Sequence, residues 1–156
     1  MSCKIGVISD THGLLRPEAV DFLNGCDFIV HAGDIGNENV LQKLQSMAPT
    51  YAVRGNTDKG HWAHALPEKD VFEIEGRLFY LIHNINDLDL DPAAAEFDAV
   101  LFGHTHRPER YEKDGVLYFN PGSAGPSRFD LSPTIGRIST TNSGLESEII
   151  PLLKLH

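Results

Sequence analysis

The sequence predicts an α/β sandwich built from two sheets, and three observations carry that expectation. Short apolar runs alternate with helix-like stretches through the first half of the chain, the pattern of strands covered by connecting helices. The second half is dominated by strand-like runs joined by turn residues, the pattern of hairpins. A set of Asp, Asn and His residues falls just past the C-terminal ends of the apolar runs, the edge where α/β sheets present side chains from loops.

Taken in order, Ile5 to Ile8 reads as a buried strand that breaks at Ser9-Asp10-Thr11-His12-Gly13. Pro17 lacks an N–H that a first helical turn does not need, so it opens a helix carrying Ala19, Val20 and Leu23 inward. Phe28-Ile29-Val30 is the second strand and ends at His31-Ala32-Gly33-Asp34. Asn37 or Asn39 caps the next helix, which buries Val40, Leu41, Leu44 and Met47 and stops at Pro49. Tyr51-Ala52-Val53 is the third strand, ending at Arg54-Gly55-Asn56.

Further on, Val71 to Ile74 and Leu78 to Ile82 flank a Glu75-Gly76 turn. Asp91 and Pro92 suit the N-cap and first position of a short helix through Glu96. Ala99 to Phe102 is another buried strand, followed by Gly103-His104-Thr105-His106. Asp114-Gly115, between Tyr111 and Val116, is a hairpin signal. Ile135 to Thr140 and Glu146 to Leu152 form a last hairpin around Asn142-Ser143-Gly144.

The 156 residues suit one domain, spanning 1–156. A net charge of −9 argues against stand-alone nucleic-acid binding, which needs clustered Lys and Arg, but not against a small phosphate drawn in by bound cations. Cys3 and Cys26 do not make a disulfide framework and read as free thiols, buried or half-buried. No apolar run reaches the ~18 residues of a membrane span, and the chain begins almost at once on Lys4-Ile5-Gly6-Val7-Ile8 without a signal peptide. The expected compartment is the cytoplasm.

The residues past the strands make one chemical set. Asp10 and His12 follow the first strand, Asp34 the second, Asn56 the third, His83 a later one, and His104 and His106 the next. All are oxygen or nitrogen donors, suited to Mn²⁺, Fe, Zn²⁺ or Co²⁺. The absence of Cys disfavours a structural zinc knot, and four His disfavour an oxygen cage for Ca²⁺ or Mg²⁺. Asp34, alone on its loop, is placed to bridge two metals through its two oxygens. Two cations ~3.5–4 Å apart activate a bridging water and clamp a phosphoryl oxygen.

Asp10-Thr11-His12, Gly33-Asp34, Gly55-Asn56, His83 and Gly103-His104-Thr105-His106 resemble, in order and spacing, the calcineurin-like metallophosphoesterases. The resemblance runs from about Lys4 to Ser123, and the short length and Asn120-Pro121-Gly122-Ser123 are similar to the small prokaryotic phosphodiesterases. It implies a four-layer α/β/β/α sandwich with two mixed sheets and the metal site at the C-terminal ends of the strands. It implies two divalent metals, Mn²⁺ first, with Fe, Zn, Ni or Co as alternatives. Asp10, His12 and His106 would hold one metal, Asn56, His83 and His104 the other, and Asp34 would bridge. A hydroxide between the metals would attack a small or nucleotide-like phosphodiester. Asp34, Asn56, His83 and His104 are then the catalytic candidates, and Asn56, Thr57 and Arg128 the substrate-binding ones.

Two positions depart from the family pattern. Thr57 stands where many members carry a His that protonates the leaving group, which favours diesters with capable leaving groups. Asn84 stands where the family usually has Gly after the His, and Asn adopts left-handed backbone more readily than most residues.

Other polar residues have plainer readings. His31 is expected to be a buried, hydrogen-bonded structural histidine, and Arg54 to form a salt bridge. His61, Trp62 and His64 fall in an expected loop near Asn56, with Trp62 either a pocket wall or ordinary packing. Asp58 either supports a ligand or holds a turn, and His156 is terminal. The competing functions are a phosphomonoesterase on the same site, a nuclease needing a partner chain, and a non-catalytic scaffold resembling the retromer subunit. A homo-oligomer formed through a sheet edge or apolar loop is also expected to be feasible.

Overall fold

The computed structural model describes residues 2–127 and 131–153. The first sheet contains β1 (Lys4–Ile8), β2 (Phe28–His31), β3 (Thr50–Ala52), β9 (Thr134–Thr140) and β10 (Leu145–Pro151), in the order β10-β9-β1-β2-β3. β1, β2 and β3 run parallel, and β9 turns back antiparallel along β1. The second sheet contains β4 (Lys69–Ile74), β5 (Arg77–Ile82), β6 (Ala99–Leu101), β7 (Glu109–Lys113) and β8 (Val116–Asn120), in the order β4-β5-β6-β8-β7. Here β5, β6 and β8 are parallel, with antiparallel edges on both sides. Both sheets are therefore mixed.

Three apolar layers hold these sheets together. Ile5, Val7, Val30, Phe72, Phe79, Leu81, Leu101 and Phe119 fill the space between the sheets. Ile8, Ile29 and Ile135 face the other way, where helices α1 (Pro17–Leu23) and α2 (Glu38–Met47) cover them with Ala19, Leu23, Val40, Leu41 and Leu44. Tyr80, Ile82, Val100, Phe102 and Tyr118 line the far face of the second sheet, against Ile85, Leu88, Ala93 and Phe97. Alternation along β1 and β5 puts successive residues into successive layers, as the strand period of two requires.

The outermost layer on the second sheet is thinner than expected. It is a 3-10 turn at Ile85–Asp87 and a single turn over 92–96. Asp91 Oδ1 does accept N–H bonds from Ala93 and Ala94, as a cap would. The helix fails because Glu96 enters left-handed backbone, φ 64°, and Phe97 N–H reaches back to Pro92. Elsewhere the caps match. Pro17 opens α1, and Asn37 Oδ1 accepts Val40 N–H at 3.0 Å. Val20 and Met47 are half-buried rather than buried. The stretch expected as a loop after Gly60 is a one-turn helix, α3 (His61–His64).

Candidate metal centre

The parallel strands β1, β2, β5 and β6 end on one edge of the sandwich, and the loops that follow bring the polar residues together. Asp10 N–H donates to Gly33 O at 3.0 Å and His12 N–H to Asp34 O at 2.9 Å, which ties the first loop to the second. Gly103 N–H donates to His83 O at 3.0 Å, and His104 N–H to Asp10 Oδ2 at 3.1 Å. Those bonds span both sheets, so the site is stitched across the sandwich.

Close approach explains two of the glycines. A Cβ on Gly55 would lie 2.2 Å from Asp34 N and 2.2 Å from Asp34 Oδ1. One on Gly103 would lie 2.1 Å from Ser9 Oγ and 2.8 Å from Asp10 Oδ2. The donors themselves carry backbone strain. Asp10 (φ 55°), His12 (47°), Asp34 (57°), His104 (75°) and His106 (65°) all sit in the left-handed region. Each such non-glycine residue costs roughly 1–3 kcal/mol and persists only where the surroundings fix it.

Two groups of donor atoms result. Asp10, His12 and His106 present ligand atoms within 4.8 Å of one another. Asp10 Oδ1 stands 3.6 Å from His106 Nε2 and 3.9 Å from His12 Nε2, and the two Nε2 atoms are 3.4 Å apart. On the other side, His83 Nε2 stands 2.9 Å and His104 Nδ1 3.3 Å from Asn56 Oδ1. Asp34 lies between the groups. Its Oδ2 is 3.3 Å from His83 Nε2 and 3.8 Å from His12 Nε2. Its Oδ1 instead accepts Thr57 N–H at 3.0 Å. Without a metal, one oxygen of Asp34 faces both groups and the other faces Thr57.

These residues fit divalent cations. Asp10 Oδ1 is buried and accepts no hydrogen bond from the described residues, while Oδ2 takes Ser9 O–H at 2.7 Å. Burial pushes the Asp10 carboxyl up, against the Ser9 hydroxyl and the nearby His83 and His106. A cation beside Oδ1 would remove that penalty. Burial also works to raise the Asp34 carboxyl, but hydrogen bonds from His83 and Thr57 outweigh it and hold Asp34 well below the usual carboxylate range. Ligands ~2.1 Å from a shared ion stand about 3.0–3.5 Å apart at ordinary coordination angles, close to the spacings here. His83 Nδ1 donates to Ala32 O at 2.7 Å, and its Nε2–H faces the oxygens of Asp34 and Asn56; a bound cation would displace that proton and take Nε2 as a ligand, with Ala32 O holding the ring in place.

Supporting residues surround the donors. Asp58 is buried and accepts N–H bonds from Gly55 (2.9 Å), Gly36 (3.0 Å) and Ile35 (3.2 Å), clamping the Asp34 loop to the Asn56 loop. Ser123 Oγ donates to Asp10 O, and Asn120 Nδ2 donates to Gly103 O and Thr105 Oγ1. Ser9 and the Ala32 carbonyl are parts that sequence reasoning missed. Ser9 offered only its place beside Asp10, and a backbone carbonyl offers no signal.

The remaining candidates sort clearly. His31 is fully buried, accepts Gly33 N–H on Nδ1 at 3.0 Å and meets Thr11 Oγ1 with Nε2 at 3.0 Å. Burial, helped by His83, pushes its pKa down to about 3, as suits a structural histidine. Arg54 pairs with Glu68 at 2.9 Å. Trp62 packs on the helical layer, while His61 and His64 are exposed and join neither donor group. Asn84 is not left-handed: its φ is −112°, and its side chain accepts Asn86 N–H. Nothing at this turn therefore demands glycine. Arg128 and His156 lie outside the described residues. Beside His83 and Asn56 opens a cleft of about 280 Å³, lined also by Arg54, Glu68, Lys69, Asn84 and Asp87.

Several known proteins are similar to this chain. The chain is 35% identical over 161 residues to a probable metallophosphoesterase of Methanothermobacter thermautotrophicus, covering 94% of this chain and 91% of that protein. The solved structure of an archaeal phosphodiesterase superposes with a TM-score of 0.78 at 26% identity, covering 94% of this chain and 99% of the other. Vacuolar protein sorting 29 from Cryptosporidium parvum shares the fold, with a TM-score of 0.77 at 18% identity over 95% of this chain and 96% of the other. The family model for the calcineurin-like phosphoesterase superfamily domain matches residues 3–143, and the chain belongs to that superfamily.

Proposed function

We propose that this protein is a metal-dependent phosphodiesterase acting on a small or nucleotide-like phosphodiester, with residues 1–156 forming one catalytic domain. The observation that carries this reading is Asp34 Oδ2, which faces His83 on one side and His12 on the other at 3.3 and 3.8 Å. A carboxylate oxygen held between two donor groups is the arrangement a binuclear centre needs. Asp10, His12 and His106 would hold one cation, Asn56, His83 and His104 the other, and Asp34 would be shared. The donor set supports Mn²⁺, with Fe, Zn, Ni or Co as alternatives. When bound, two such cations supply charge neutralisation at the phosphoryl oxygens and activate water as the nucleophile.

The protein's own residues do the positioning. Thr57 N–H fixes the Asp34 carboxylate, and Ala32 O fixes the His83 ring. Asn56, exposed at the mouth of the cleft, meets the phosphate, and the cleft behind it receives one ester arm. Arg128 is assigned to the phosphate charge from its sequence position alone. Thr57 has no titratable proton to give, so departing groups must be stable as anions.

The phosphodiesterase name of the structural relative supports a diester over a monoester. The likeness to vacuolar protein sorting 29 supports the shared fold and no more, and all seven ligand positions here carry donor residues. No helix among the described residues is long and apolar enough to cross a membrane, and the free Cys3 and Cys26 suit a reducing cytoplasm. The test is hydrolysis of bis-p-nitrophenyl phosphate and of the mono-ester with Mn²⁺, with and without chelator. Metal-stimulated turnover that prefers the diester is the expected result. Faster turnover of the mono-ester would overturn the diesterase assignment.

A further inference from the structure

Among the described residues the two sheets leave four edge strands, β10 and β3 on one and β4 and β7 on the other. An edge strand presents unpaired N–H and C=O groups, and charged side chains there usually discourage pairing with another chain. β7, Glu109-Arg110-Tyr111-Glu112-Lys113, is exposed along its whole length. Its charges have an order that the other edges lack. About a two-fold axis at Tyr111, an antiparallel copy sets Arg110 against Glu112 and Glu109 against Lys113, so every charge meets its opposite. β10 has Glu146 and Glu148 but no basic residue and ends on Pro151. A two-fold register centred on β4 would oppose Asp70 to Glu73. β3 has three residues and no charge.

Two further observations agree. In a two-residue hairpin the pair flanking the turn, here Lys113 and Val116, is hydrogen-bonded to itself. By alternation Tyr111 and Glu109 also turn their backbone groups toward β8, and Arg110 and Glu112 turn theirs outward. One charge-matched pair, Arg110 and Glu112, is therefore also the pair with backbone groups available to a second copy. Tyr111 lies flat on Tyr118, ring centroids 5.0 Å apart and interplanar angle 4°, yet remains 43% exposed. Pairing would cover that face with the second copy's Tyr111 and extend the stack to four rings.

We propose that β7 is a dimerisation edge, pairing antiparallel with β7 of a second copy of this chain to make one continuous ten-stranded sheet. The same register lays the second copy's Asp114-Gly115 turn beside Arg107 and Pro108, directly after His106. The dimer thereby braces the loop that carries His104 and His106.

Charge reversal tests this without touching the metal centre. Light scattering or sedimentation of wild type is expected to give twice the chain mass. Arg110→Glu and Glu112→Arg, each alone, place like charges opposite and are expected to be monomeric with circular dichroism unchanged. The double variant restores opposite charges and is expected to dimerise, and an equimolar mixture of the two single variants is expected to give the heterodimer. A wild type that stays monomeric up to its solubility limit would overturn the proposal. So would a dimer that survives both single reversals, because another surface would then form it, and so would single variants that neither the double change nor mixing rescues.

Discussion

Asp34 Oδ2 lies 3.3 Å from His83 Nε2, while the other carboxylate oxygen is held by Thr57 N–H. One residue thus joins the β2 loop to the β5 loop through a single atom, and the same atom faces His12 at 3.8 Å. Asp34→Asn keeps the size and the Thr57 contact but removes the charge. We expect it to lose roughly a hundredfold or more in metal affinity, read by isothermal titration with Mn²⁺. Unchanged affinity would contradict the shared-ligand role.

Gly55 is the second expectation. Its missing side chain is what lets Asp34 approach, since a Cβ there would overlap Asp34 N and Oδ1. Gly55→Ala should destabilise by about 1–3 kcal/mol, lowering the melting temperature by roughly 2–10 °C at this chain size. Metal affinity should fall with it. A melting temperature and affinity equal to wild type would show that the two loops are not packed as described.

Asp58 accepts three backbone N–H groups from two loops. Asp58→Ala leaves buried donors without partners, at about 1–3 kcal/mol for each left unsatisfied. The expected outcome is a loss of several kcal/mol in urea unfolding and a matching loss of metal retention. A change below ~0.5 kcal/mol, typical of a surface site, would return Asp58 to the status of a plain turn residue.

His31 sets a pH dependence. Neutral His31 accepts Gly33 N–H, and a proton on Nδ1 would oppose that donor. Its pKa is pushed down to about 3 from an ordinary 6.5. Between those values the unfolded chain binds a proton that the folded one refuses. The stabilisation is therefore complete above pH 6.5 and drains away toward pH 3, at about 1.4 kcal/mol per unit. Unfolding of the metal-free protein across this range should show a slope that His31→Gln flattens. An identical slope in the variant would contradict the assignment.

Thr57 sets the choice of leaving group. Thr57→His adds a titratable group at the cleft mouth and should raise activity on phosphate esters with poor leaving groups by roughly 10²-fold or more, with little gain on p-nitrophenyl esters. Equal effects on both classes would remove the argument.

Much of this was legible in the sequence, because the periodicity of apolar runs is a local signal. β1, β2, the Glu75-Gly76 and Asp114-Gly115 hairpins and the Asn37 cap all follow from residues within one turn or strand. The seven candidate donors were readable as a set because each falls within a few residues of a strand end. The left-handed backbone at Asp10, His12, Asp34, His104 and His106 was not, since contacts across both sheets impose it on residues with no local preference strong enough to announce it. The helix expected after Asp91 failed for a related reason. A good cap starts a helix, but only packing sustains one this short. The backbone at Asn84 is extended, so a residue free to turn left-handed is not needed there, and only the fold around His83 reveals this.

The binuclear centre is the central claim, and metal content tests it most directly. The protein loaded with Mn²⁺, desalted and analysed by plasma mass spectrometry should retain two ions per chain. His104→Ala should retain one, because it removes a donor from the Asn56 and His83 group and leaves Asp10, His12 and His106 intact. Wild type that retains no metal, or loses none on the His104 change, would contradict the account.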